Sequence, residues 1–215
     1  MLCEKKNSSL DRLITRYPRL GEVRGEIEDC FSVLLECFKV GGKLLCCGNG
    51  GSASDSEHIV GELMKSFKLK RPIDGKYAMR LREFGDEGAE LAEKLEGTLT
   101  AIALVGHSAL STAFGNDKQA DMCFAQQVNG YGAAGDVLLT LTTSGNSQNC
   151  VYAAMAAKAR GMKVISVTGE NGGRMLGLSD VCIRVPEKET YLVQELTLPV
   201  YHWLCAELES VFWGN

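Results

Sequence analysis

Five short apolar runs alternate with longer segments of helical period, and that alternation restricts the chain to few architectures. Strands are expected at 43–47, 99–105, 136–141 and 163–168, with a shorter one at 181–185. Helices are expected at 53–67, 109–127, 147–160 and 187–209. Such a chain buries its apolar faces by laying the strands in parallel and covering both faces of the sheet with helices. The expected fold class is therefore α/β, a three-layer sandwich with a mainly parallel central sheet flanked by helices. Before the first strand, Leu10, Leu13, Ile14 and Tyr17, then Ile27, Phe31, Leu34, Leu35 and Phe38, recur at helix-face spacing. N-terminal helices thus occupy 1–42 and stop at Gly41-Gly42. Length and apolar content suit one domain over 1–215.

Residues 73–98 break the rhythm. Their second half, Glu90-Leu91-Ala92-Glu93-Lys94-Leu95-Glu96, has the composition of a short surface helix with solvated charges. The connection is long for a compact α/β domain, which suits a lid, an interface element or a mobile insert.

Two of the strands run into hydroxyl- and glycine-rich loops. Lys43-Leu44-Leu45-Cys46 leads into Cys47-Gly48-Asn49-Gly50-Gly51-Ser52, and Asp136-Val137-Leu138-Leu139-Thr140 leads toward Thr142-Thr143-Ser144-Gly145-Asn146-Ser147. A strand that turns on glycine into a helix offers unpaired N–H groups and the positive end of a helix dipole, and both favour an anion. Ser52 and Ser147 also suit ordinary helix caps. Three hydroxyls in a row followed by Gly-Asn-Ser exceed what capping needs, so Ser52, Thr142, Thr143, Ser144 and Ser147 are candidate contacts to a phosphorylated small molecule. Gly169-Glu170-Asn171-Gly172-Gly173 reads as a structural turn.

Acid–base candidates lie on the flanking helices. His58 and Glu62 are four residues apart and share a helix face just after the first loop. Ile59, Leu63 and Phe67 mark the core side of that helix. Glu62 could act as a general base or join the imidazole in ligating a metal. Gln194 and His202 lie on the last helix, where eight residues rise about 12 Å, too far for both to serve one small site easily from one chain. A kink at Pro199 or a contribution from a neighbouring subunit would resolve this.

The formal charge of −4 leaves no broad basic footprint for nucleic acid. The polar Met1–Asp11 segment lacks the apolar run of a signal peptide, and no segment has the length of a membrane-crossing helix. Nine scattered cysteines with no C-x-x-C pair point to buried thiols in a cytoplasmic protein rather than a zinc ribbon or redox motif.

These residues resemble the sugar isomerase (SIS) domain proteins, and among them the bacterial phosphoheptose isomerases. The resemblance runs from Phe38-Lys39-Val40-Gly41-Gly42-Lys43 to Glu209. It is most specific at the two loops, Gly115-Asn116-Asp117, Gly135-Asp136-Val137-Leu138-Leu139, Gly161-Met162-Lys163-Val164-Ile165 and Val193-Gln194-Glu195. It implies an SIS-type sandwich that converts sedoheptulose 7-phosphate to D-glycero-D-manno-heptose 7-phosphate through an enediol, toward heptose for surface polysaccharide. It further implies that His58, Glu62, Gln194 and His202 hold Zn2+, with Glu62 and His202 catalytic. Substrate contacts are implied at Asn49, Gly50, Gly51, Ser52, Glu62, Asn116, Asp117, Thr142, Thr143, Ser144, Ser147 and Gln194. A homotetramer with sites between subunits is implied too, so that His202 reaches a neighbour's phosphate loops. The DnaA initiator-associating proteins share the fold and loops but generally lack the glutamate and histidine, so Glu62 and His202 favour an enzyme over a regulatory binder. Three departures bear on the sugar: Lys65-Ser66-Phe67 replaces the family's Gly-Arg-Phe/Tyr, Leu192 replaces an arginine, and 73–98 has no counterpart in the common short enzymes.

Overall fold

Every residue of β1 (Leu44–Gly48) and β3 (Val137–Leu141) is buried, as strands covered on both faces must be. The computed structural model describes residues 9–214. Around these two strands β2 (Ala101–Ala103), β4 (Lys163–Gly169) and β5 (Val181–Val185) complete a five-stranded sheet in the order β2-β1-β3-β4-β5. All four pairings are parallel. The sheet is thus wholly parallel where the sequence indicated mainly parallel. Alternate strand residues feed two cores. Leu44, Cys46, Val137, Leu139, Ile165 and Val167 pack toward α2 (Arg24–Lys39), α3 (Gly51–Met64) and α9 (Thr190–Trp213). Leu45, Cys47, Leu138 and Val164 pack toward α7 (Cys123–Tyr131) and α8 (Gln148–Ala159).

The strand order places the crossovers after β1 and β3 on opposite sides, opening a crevice beyond their carboxyl ends, the usual ligand position in such sheets. The two hydroxyl-rich loops lie there. The N-terminal helices expected over 1–42, of which 1–8 lie outside the described residues, are separated at Pro18, which opens a 3-10 turn, Pro18–Val23, between α1 (Ser9–Arg16) and α2. Proline has no N–H to continue a helix and suits its first turn. The 109–127 helix is also divided. It becomes α6 (Ser108–Phe114), a π turn Gly115–Gln119, a 3-10 turn Ala120–Met122 and then α7. Residues 73–98 hold two helices rather than one, α4 (Gly75–Arg82) and α5 (Asp86–Lys94). Asp74 caps α4 by accepting from Lys76 N and Tyr77 N at 3.0 and 3.1 Å. Helix α9 continues through Pro199.

Candidate active site

The first loop depends on Gly50, whose φ of +54° and ψ of −123° are available to glycine alone among the ordinary residues. This turn starts α3 immediately, with Ser52 N and Ala53 N already bonded to the carbonyls of Asn49 and Gly50. The second loop depends on close backbone approach: a Cβ on Gly145 would stand 2.1 Å from the carbonyl oxygen of Gly172. The 169–173 turn is therefore the floor on which the second loop rests. The loops are joined by a side chain that sequence reading missed. Asn49 and Asn149 exchange amide hydrogen bonds of 3.0 and 2.7 Å.

The hydroxyls are not equivalent. Thr142 and Ser147 hydrogen-bond each other at 3.0 Å, and Ser52 is buried at 6% exposure. Ser144 is exposed, with its oxygen accepting from Asn146 N at 3.1 Å. Its hydroxyl proton has no partner fixed by that contact and remains available for donation. Asn116 and Asp117 lie on the exposed π turn and pair with each other at 3.0 Å.

Helix α9 packs alongside α3, running the same way along it. The amide nitrogen of Gln194 stands 2.6 Å from where a Cβ on Gly51 would be. Two turns on, His202 Nε2 lies 3.4 Å from His58 Nε2, and His58 Nε2 lies 3.2 Å from Glu62 Oε1. The 12 Å rise thus separates Gln194 from His202 along a seam whose other side, α3, has matching spacing. His58, Glu62 and His202 meet within one chain, and Gln194 does not join them. Phe67 and Tyr201 enclose the His202 ring, with centroids 5.6 and 5.0 Å away. Burial, then the neighbouring His58, lowers the His202 pKa, against the pull of Glu62 and Asp55. It is therefore held toward the neutral form, which carries one N–H and one lone pair. Lys65 Nζ approaches Glu62 Oε2 at 3.5 Å.

Below this cluster the seam closes on a buried ion pair. Arg71 and Glu209 side chains are both 0% exposed and meet at 2.7 Å. Arg71 also donates to the carbonyls of Leu63 and Glu62, each at 2.8 Å, satisfying the C-terminal end of α3. Glu209 accepts from the backbone N–H groups of Phe67, Lys68 and Leu69. Burial alone would raise the Glu209 pKa, but those N–H donors and the guanidinium hold it below the usual carboxylate value. On the outer side of His202 a cleft of about 520 Å³ opens between α1 and α9, lined by Arg12, Arg16, Lys68 and Glu207 among others.

Metal-donor chemistry is present at the cluster, as two imidazole nitrogens and a carboxylate. Among the described residues, no group of three or more His, Cys, Asp or Glu side chains closes into a metal cage.

The SIS domain family pattern matches residues 15–103 and 91–169. The chain belongs to the SIS domain family. It is 33% identical over 199 residues to the phosphoheptose isomerase of Akkermansia muciniphila, covering 93% of this chain and 92% of the relative. It is 37% identical over 194 residues to that of Rhodospirillum rubrum, covering 90% of each. The solved phosphoheptose isomerase from Neisseria gonorrhoeae superposes with a TM-score of 0.70 at 30% identity, over 94% of this chain and 99% of that one. Within the SIS family this chain is a phosphoheptose isomerase-like enzyme. No helix among the described residues is long and apolar enough to cross a membrane.

Sequence reasoning missed Asn149, Asp55, Tyr201, Arg71 and Glu209 as parts of the site. Asp55 had a signal, since it lies one turn before His58 on the same helix face. The others are brought in only by packing between segments far apart in the chain.

Proposed function

We propose that this chain isomerises a ketose phosphate, and that the ketose is sedoheptulose 7-phosphate, giving D-glycero-D-manno-heptose 7-phosphate for surface polysaccharide. The observation carrying this reading is the contact of His58, Glu62 and His202 on the seam that begins at the first phosphate loop. In this reading the phosphate sits at the N-termini of α3 and α8, taking donors from the loop backbones and from Ser144. Asn49, Gly50, Gly51, Ser52, Thr142, Thr143, Ser147 and Gln194 shape that end, and Asn116 and Asp117 contact the sugar from the π turn. About 9 Å of helical rise separates Ser52 from His58, so the carbonyl end of an extended sugar points down the seam.

Glu62 removes the proton from C1 of the ketose and, after the enediol forms, returns it to C2. Neutral His202 gives a proton to the C2 oxygen through its N–H and accepts one from the C1 oxygen through its lone pair, so the proton count is unchanged over the cycle. Zinc is part of the proposal: His58, Glu62 and His202 would hold it, and a lone pair that binds the ion is then not free to move a proton. His58 Nε2 lies 3.2 Å from Glu62 Oε1 and 3.4 Å from His202 Nε2, which sets nitrogen and oxygen donors of the kind zinc takes beside one another. Gln194, held at Gly51, does not complete that set from its present position. Bound zinc would polarise the sugar carbonyl.

One observation favours a different sugar phosphate. Ser66 stands where the family pattern carries arginine, and its N–H and hydroxyl bind Glu96 at 2.8 and 2.5 Å. A cationic contact is thereby replaced by an anchor for the 73–98 segment, which we read as an insert in a single SIS domain. The family likeness supports a homotetramer with sites between subunits, which light scattering tests. Eight free cysteines among the described residues support a cytoplasmic location. A coupled assay over a panel of ketose phosphates, with and without chelator, tests the function. Turnover of the heptulose phosphate is expected, and binding without turnover of any of them would make the chain a regulatory binder.

A further inference from the structure

His58 has two ring nitrogens with different surroundings, and the surroundings of one determine the state of the other. Its Nδ1 lies 3.1 Å from the hydroxyl of Tyr201. The same hydroxyl donates to Asp55 Oδ1 at 3.2 Å. Tyr201 is buried at 3% exposure and Asp55 is half-buried, so the phenolic end of these contacts is sheltered from solvent. A phenol has a single proton, while a carboxylate can only accept. A hydrogen bond to a charged acceptor is stronger than one to a neutral ring nitrogen, so the phenolic proton goes to Asp55. The tyrosine oxygen is then left as an acceptor toward His58, and Nδ1 must carry the hydrogen.

We infer that Asp55 and Tyr201 are positioning residues that hold neutral His58 as its Nδ1–H tautomer and turn a bare Nε2 lone pair toward Glu62 and His202. The geometry on the far side of the ring agrees. His58 Nε2 faces Glu62 Oε1 at 3.2 Å and His202 Nε2 at 3.4 Å. With no hydrogen on His58 Nε2, this space between three heteroatoms accommodates one mobile proton or one cation and repels a second. His58 is then an acceptor or ligand and supplies no proton to the reaction. The chain Asp55–Tyr201–His58 is a second layer of hydrogen bonds of the kind that fixes histidine tautomers. Tyr201 is accessible to this role because it precedes His202 on α9 while Asp55 precedes His58 by one turn on α3, so the seam brings both behind one ring. This inference concerns how His58 is held and does not depend on which sugar is the substrate.

The test is spectroscopic. The chain has only three histidines. Long-range proton–nitrogen correlation spectra of 15N-histidine-labelled, metal-free protein, above the ordinary imidazole titration range, report each tautomer directly. A His107→Asn variant removes one set of signals, and the His58 pattern is expected to show hydrogen on Nδ1 and none on Nε2. Tyr201→Phe keeps the ring and removes the hydroxyl, so the His58 pattern is expected to shift toward Nε2–H. Asp55→Asn offers an amide donor to the tyrosine oxygen, releasing the phenolic proton to Nδ1, and is expected to move the hydrogen to Nε2 as well. Should Tyr201→Phe disturb folding, as judged by the His107 signals in the native background, Asp55→Asn carries the test alone. An Nε2–H pattern in the unmodified protein, or an Nδ1–H pattern that survives in Asp55→Asn, would overturn the assignment. Failure of the isomerase assay would leave these spectra unchanged, so the two proposals fail separately.

Discussion

The α3/α9 seam and the α4–α5 hairpin diverge from the same short stretch of chain and are built on opposite principles. At the seam the buried charges are matched: Arg71 and Glu209 are fully buried, and between them they satisfy two helix-end carbonyls and three backbone N–H groups. The hairpin is tied down at its base. Pro72 bridges to Glu96, Glu96 binds Ser66, and Gly97 packs so closely that a Cβ there would lie 2.8 Å from the Trp213 ring. Beyond that base it leaves Tyr77, Met79, Leu91 and Leu95 exposed, and Phe84 is 79% exposed. Breaking a buried charged network costs much, whereas a solvated helix face tolerates change. The groups proposed for chemistry sit on the first kind of structure, and the segment that departs from the family pattern is the second kind.

The largest effect is expected at Arg71. Arg71→Ala leaves Glu209 buried without its cation and should cost about 3–5 kcal/mol in urea unfolding, and Arg71→Met with Glu209→Leu should not restore it, because the two carbonyls and three backbone N–H groups that the pair satisfies would be left unpaired. The same pair gives an acid signature. Because the folded Glu209 pKa lies below its ordinary value of 4.5, its contribution is complete above that value and is lost as pH falls through the lower folded value. A variant lacking the pair should therefore lose less stability on acidification than the native chain. A cost for Arg71→Ala as small as that of a surface change would erase the contrast between the two regions.

Next in size is Glu62→Gln, which keeps shape and removes the base. Turnover of sugar phosphate should fall by about a hundredfold or more, with calorimetric binding largely retained. Near-native turnover would make Glu62 a structural partner of His58 and Lys65 only. Ser144→Ala follows. Loss of one hydrogen bond to a charged phosphate should weaken binding by about 1.5–3 kcal/mol, and an unphosphorylated analogue should be almost unaffected. Equal weakening of both ligands would move the phosphate away from the second loop. The smallest effect is expected at the hairpin: Phe84→Ser should change stability by no more than about 0.5 kcal/mol. A large loss there would show that the hairpin is covered in solution.

Much of the fold was legible because period and punctuation are local. Buried parallel strands read as apolar runs, glycine loops mark their ends, and His58 and Glu62 share a helix face by spacing alone. Boundaries blurred where backbone chemistry overrode the apolar period, at Pro18 and at the Gly115–Gln119 π turn. The 73–98 stretch hid a second helix because Gly75, Lys76, Arg80 and Arg82 interrupt its few apolar positions, of which only Ala78 is buried, leaving almost no stripe to read.

By itself the sequence determined the parallel α/β plan, the two anion-seeking loops and the donor types available beside them, since each follows from neighbours in the chain. Tertiary structure alone decided that α9 lies along α3. That placement sets His202 against His58 and Gln194 against Gly51, and puts Tyr201 behind the His58 ring. It also decided that Arg71 and Glu209, 138 residues apart, close the seam. Both outcomes depend on which helix faces meet across the sheet, a choice made by packing and burial over the whole domain that no local spacing encodes.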